Sequence, residues 1–156
     1  MTATRFPVMT HTQQLNILLV EDDEVDVMNV QRALKKNNAT TTLYRAANGI
    51  EALAILRTNN QIGPENNSRL LILLDLNMPK MGGIEFLKEL RADPTLCKLP
   101  VVVLTTSMQG SEIAAAYEYH VAGYILKPIT FSSFVEKIDI LNRYWSMSEM
   151  PSPTSC

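Results

Sequence analysis

Three carboxylates (Glu21, Asp22 and Asp75), one hydroxyl (Thr105) and one ammonium (Lys127) are spread along most of the chain. Most of them stand just after a short apolar run: Ile17–Val20, Leu70–Leu74, Val101–Leu104 and, more weakly, Tyr124–Leu126. Gathered at one place, carboxylates repel unless a cation binds them or one keeps a proton. An oxygen-only set with few carboxylates suits Mg2+, which keeps much of its water; the Asp22–Asp26 stretch lacks the glycine and spacing of a calcium loop. Beside such an ion one carboxylate becomes a nucleophile toward phosphorus, and Asp75 is the candidate. Lys127 would add fixed positive charge there, and Thr105 would donate to an arriving phosphoryl oxygen. The Lys127–Pro128 bond is one that tolerates either isomer.

The elements that must position these residues follow from periodicity. Short apolar runs alternating with helical patterns read as parallel strands buried on both faces, whose carboxyl ends share one edge of the sheet. Strands are expected over 16–20, 41–46, 70–74, 101–104 and 123–126. The second is the least apolar, as an edge strand would be, and the fourth is the most β-branched and is expected to be central. Helices are expected from near Glu24 to an end marked by Lys35-Lys36-Asn37-Asn38, and over 50–58, 84–92, 111–120 and near 130–145, the first opened by acidic residues. The polar stretch 59–69 is a long, mobile loop on this reading. Right-handed crossovers make the whole a doubly wound α/β fold with its ligand site outside the strand ends.

Composition narrows the function. The chain has 156 residues and a formal charge of −2, which fits one domain, 15–146, between a flexible lead at 1–14 and a tail at 147–156. That charge argues against direct nucleic-acid binding. No run reaches the roughly 18 apolar residues of a membrane helix, and no secretory signal is evident. Cys97 and Cys156 are too few for a disulfide framework; free thiols and a cytoplasmic location are expected. His11 reads as a tail residue and His120 as a packed helix-end residue.

Four motifs now point to a family. Leu18-Leu19-Val20-Glu21-Asp22-Asp23, Leu74-Asp75-Leu76-Asn77-Met78-Pro79, Leu104-Thr105-Thr106 and Tyr124-Ile125-Leu126-Lys127-Pro128 together resemble the receiver domain of two-component response regulators. The resemblance implies a flavodoxin-like, five-stranded parallel sheet of order 2-1-3-4-5 with five helices. It implies that Asp75 accepts a phosphoryl group from a sensor histidine kinase, and that Glu21, Asp22, Asp75 and the backbone carbonyl of Asn77 hold Mg2+, Glu21 mostly through water. Thr105 and Tyr124 would be the switch pair, the threonine moving toward the phosphoryl group and the ring turning inward. The long loop, Thr105-Thr106-Ser107 and the Arg143-Tyr144-Trp145 ending are similar to the single-domain regulators that partner cyanobacterial phytochromes.

The sequence departs from the common pattern at Glu21 and Gly82, where many receivers have Asp, and at Thr106, which is bulkier than usual. Other readings stand beside the main one. Output would be a changed surface acting on a target protein; the alternative is a relay that passes phosphate to a histidine phosphotransfer protein. An aspartate-nucleophile phosphatase would need a second carboxylate where Asn77 stands. A flavodoxin-like redox protein would need a phosphate loop where Glu21 and Asp22 stand.

One surface expectation comes from helical periodicity. At about 100° per residue, Phe131, Phe134, Val135, Ile138, Leu141 and Trp145 share an arc that should face the sheet. Ile140 and Tyr144 point outward, and Tyr119 falls off the inward arc of the preceding helix. Together they form a candidate homodimer or partner face.

Overall fold

A computed structural model describes residues 14–58, 62, 69–151 and 156. The expected lead up to residue 13, with His11, and the expected loop at 59–69, apart from Ile62 and from Arg69, which opens a strand, lie outside the described residues. The elements alternate: β1 (Leu15–Val20), α1 (Glu24–Lys36), β2 (Thr42–Ala46), α2 (Gly49–Thr58), β3 (Arg69–Leu74), α3 (Gly83–Ala92), β4 (Val101–Thr105), α4 (Gly110–Glu118), β5 (Gly123–Leu126) and α5 (Phe131–Met147). All strands pair in parallel, in the order β2-β1-β3-β4-β5. The doubly wound, flavodoxin-like architecture expected from the motifs is the one observed.

The solid apolar runs are explained by burial on both faces. Leu18, Val20, Leu70, Ile72, Leu74, Val101 and Val103 pack with α2, α3 and α4, while Ile17, Leu19, Leu71, Leu73, Val102 and Leu104 pack with α1 and α5. Successive side chains of a strand point to opposite faces, so a sheet covered twice demands apolar residues at every position. β2, on the edge, is mostly half-buried. β3, not β4, is the central strand; β-branching reports a pleated, packed environment and not rank in the sheet.

Helix starts are locally specified. Asp23 accepts from the Val25 amide at 2.8 Å, and Thr130 accepts from the Ser133 amide at 3.3 Å. Asn48 and Glu51 form a reciprocal box: Asn48 Oδ1 accepts from the Glu51 amide at 3.0 Å and Glu51 Oε2 accepts from the Ala47 amide at 3.1 Å. At the far end of α5, Arg69 donates to the carbonyls of Trp145, Ser146 and Ser148 at 2.5–2.7 Å. A cation there also suits the negative end of a helix.

Three further expectations are overturned. Cys97 and Cys156 are not free thiols but are paired as a disulfide across 59 residues, their Cα atoms 6.4 Å apart. His120 is exposed and left-handed, with φ of 59°, because the chain turns sharply there to enter β5. Phe131 is 41% exposed; as the first residue of α5 it lies beyond the end of the arc that covers the sheet. Phe134, Val135, Ile138 and Leu141 are buried, and Trp145 packs against them.

Candidate functional site

The site is built where the strand ladder runs one residue past the strands. The Glu21 amide donates to Ala46 O at 2.9 Å, the Asp75 amide to Val20 O at 3.0 Å, and the Lys127 amide to Thr105 O at 2.9 Å. Each functional side chain is therefore anchored by its own backbone to the neighbouring strand. Gly83 allows the chain after Asp75 to fold back closely: a Cβ there would lie 2.6 Å from Asp75 O and 2.7 Å from Leu76 Cα.

Glu21, Asp22 and Asp75 each bring a carboxylate oxygen within 4.8 Å of the others. Glu21 and Asp75 are buried, whereas Asp22 faces solvent. Lys127 enters from the end of β5, its Nζ 2.7 Å from Glu21 Oε2, 2.7 Å from Asp26 Oδ2 and 3.7 Å from Asp75 Oδ2. The Lys127–Pro128 bond is trans. Thr105 is fully buried at the end of β4, its Oγ1 accepting weakly from the Ser107 amide at 3.4 Å. Asn77 is exposed in the turn after Asp75.

Electrostatics follow from this crowding. Burial raises the Glu21 carboxyl from 4.5 to about 7, the Asp75 charge adds to the rise, and the bonds from Lys127 and the Asp23 amide offset only part of it. Burial disfavours the Lys127 ammonium, yet the hydrogen bonds to Asp26 and Glu21 and the charge of Asp75 outweigh that and raise its pKa. One fixed cation thus faces an excess of acid. The donor set is all oxygen, partly open to solvent through Asp22, and fits a hard divalent ion.

Tyr124 is half-buried and packs against the core that β4 shares with α3 and α4. Its hydroxyl donates to the Ser107 carbonyl at 2.8 Å, and the Ser107 hydroxyl bonds Glu112. The segment after β4 is thus held from β5 and α4 at once. Burial raises the Tyr124 pKa, as do the charges of Glu112 and Asp75, while the Ser107 bond opposes the rise.

Sequence reasoning missed Asp26. It lies in the first turn of α1, and its only signal was an acidic residue two positions beyond the Glu21–Glu24 run. The outward-facing trio is brought together only in part. Ile140 and Tyr144 are exposed and line an apolar groove of about 560 Å3 with Tyr124, Ile125, Leu126, Lys137 and Leu141. Tyr119 is half-buried against the opposite core and does not line it.

A doubly wound α/β domain with three carboxylates, a buried threonine and a lysine at its strand ends defines a class of protein with an acidic strand-end pocket whose oxygens could hold a divalent cation. The sequence matches the response regulator receiver domain over residues 17–139, and the chain belongs to that family. It is 38% identical to response regulator Rcp1 of Synechocystis sp. over 130 residues, covering 83% of this chain and 87% of Rcp1. It is 31% identical to chemotaxis protein CheY-3 of Vibrio cholerae over 122 residues, covering 78% and 88% of the two chains. The fold superposes on the phosphorylated cyanobacterial phytochrome response regulator RcpA with a TM-score of 0.77 at 38% identity, covering 89% of this chain and 99% of RcpA. The Mn2+-bound form of Rcp1 aligns with a TM-score of 0.74 at 36% identity, covering 88% and 99%. Among the described residues, no helix is long and apolar enough to cross a membrane.

Proposed function

We propose that this protein is a phosphorylation-controlled regulator in which Asp75 accepts a phosphoryl group from a sensor histidine kinase. The observation that carries the reading is the convergence of Glu21, Asp22 and Asp75 within 4.8 Å beside the Lys127 ammonium. In the transfer, an Asp75 oxygen forms a bond to phosphorus as the bond from phosphorus to the kinase histidine nitrogen breaks, and the imidazole leaves with a proton. Glu21, Asp22, Asp75 and the Asn77 carbonyl would hold Mg2+. When bound, the ion neutralises charge on the attacking carboxylate and on the phosphoryl oxygens. Lys127 supplies the remaining fixed positive charge, in a pocket where burial strengthens it.

The phosphoryl group adds roughly −1.5 to −2 charges and strong acceptor oxygens. Thr105 places a buried hydroxyl at the end of β4, and Tyr124 is tied to the same loop through Ser107. These two residues form the switch, and its output is a changed surface that a target protein reads. Likeness to RcpA, a cyanobacterial phytochrome response regulator, supports a phytochrome as the kinase. The groove lined by Ile140 and Tyr144 supports a homodimer through α5 and β5. Sedimentation at micromolar concentration with a phosphoryl analogue is expected to show dimers, and a monomer throughout would overturn that part.

The central experiment mixes the protein with acetyl phosphate and Mg2+ and compares intact masses. Wild type is expected to gain one phosphate and Asp75→Asn none; chelating the metal is expected to abolish the gain. A phosphate adduct on both proteins would refute Asp75 as the acceptor.

A further inference from the structure

Lys127 has two close carboxylate partners, and only one of them belongs to the acidic trio. Its Nζ lies 2.7 Å from both Glu21 and Asp26, against 3.7 Å from Asp75. An ammonium has three N–H donors, so two are engaged in short, charge-assisted bonds before any phosphoryl group arrives. Glu21 stands among the carboxylates gathered within 4.8 Å, and Asp26 does not. The short bond to Asp26 therefore competes with any closer approach of the ammonium to Asp75.

Asp26 is itself held in place. It sits in the first turn of α1, a helix seated on the sheet through Val27 and Val30 and capped by Asp23. The Asp26 side chain is 29% exposed and the Lys127 side chain 9% exposed, so their bond is only partly screened by solvent. We infer that Asp26 is a positioning residue whose bond draws the Lys127 ammonium away from Asp75, so that closing the gap from 3.7 Å toward a phosphoryl oxygen there works against the bond to Asp26. The inference rests on the reading of Asp75 as phosphoacceptor. It also makes the first turn of α1 a second place where phosphorylation is felt.

The test uses acetyl phosphate, below saturation and with Mg2+, as phosphodonor to the full chain. The bond between phosphorus and the acetyl oxygen breaks, the bond to Asp75 forms, acetate leaves, and intact mass follows the rate. Asp26→Asn keeps the shape but loses the charge, and is expected to phosphorylate roughly fivefold faster, the scale of a partly exposed ion pair. Asp26→Glu is expected to restore the wild-type rate. In a Lys127→Ala background Asp26→Asn is expected to give no gain over Lys127→Ala alone. An unchanged or slower Asp26→Asn protein would overturn the inference, and so would an equal gain without Lys127, which would mark a general charge effect. Failure of the acceptor reading is distinguishable: there, wild type would not be phosphorylated, or Asp75→Asn would be phosphorylated equally.

Discussion

The Lys127 ammonium stands 3.7 Å from the Asp75 carboxylate, farther than from either Glu21 or Asp26 at 2.7 Å. The lysine thus compensates a group of acids and is not committed to Asp75 alone.

Removing that compensation has a metal-dependent cost. Lys127→Ala leaves Glu21 and Asp75 buried without their cation, and breaking a buried pair costs about 3 kcal/mol before partial solvation of Asp26 is discounted. The unfolding midpoint in urea with chelator present is expected to fall, and saturating Mg2+ is expected to recover part of the loss because it supplies positive charge to the same oxygens. An unchanged midpoint without metal would contradict the geometry.

Glu21 makes metal-free stability depend on pH. Its carboxyl is raised from 4.5 to about 7 in the folded chain, so between those values the native state holds a proton that the unfolded chain has released. The stabilisation from this group is fully present below about 4.5 and is lost as pH rises through about 7. Urea titrations across that window with chelator present are expected to show wild type losing stability relative to Glu21→Gln as pH rises. Mg2+ affinity is expected to move the other way and increase toward pH 7, since the ion displaces the proton.

Two glycines are expected to respond oppositely to alanine. A Cβ at Gly83 meets the backbone of Asp75 and Leu76 at 2.6–2.7 Å, whereas at Gly110 nothing lies within 4 Å. Gly83→Ala is expected to lose about 1–3 kcal/mol and to slow phosphorylation by displacing Asp75. Gly110→Ala, at the start of α4, is expected to be neutral or to gain up to ~1 kcal/mol. Thermal unfolding of the two variants checks both.

The fold was legible wherever burial imposes a continuous pattern. Ile17–Val20, Leu70–Leu74 and Val101–Leu104 are apolar at every position because both faces of the sheet are covered. The site residues were legible for a related reason: polar side chains directly after such runs lie at the strand ends. Where a residue's environment is set by a distant segment, local pattern carried no signal. Cys97 meets Cys156 because the end of the chain returns to the turn after α3. Asp26 meets Lys127 because the lysine side chain reaches from the end of β5 across the strand ends to the first turn of α1. Tyr119 and Phe131 each sit at a helix end, where periodicity no longer states which way a side chain faces.

Residue order alone determined the alternation of strand and helix, the edge position of β2 and the identity of the acids, threonine and lysine at the strand ends, since these follow from local periodicity and from motifs of fixed spacing. Only the folded chain decided which carboxylates share the Lys127 ammonium, that Cys97 meets Cys156, and that Phe131 joins Ile140 and Tyr144 on the surface of α5. Those outcomes depend on distances between segments far apart in sequence, which packing against a common sheet sets and no local pattern encodes.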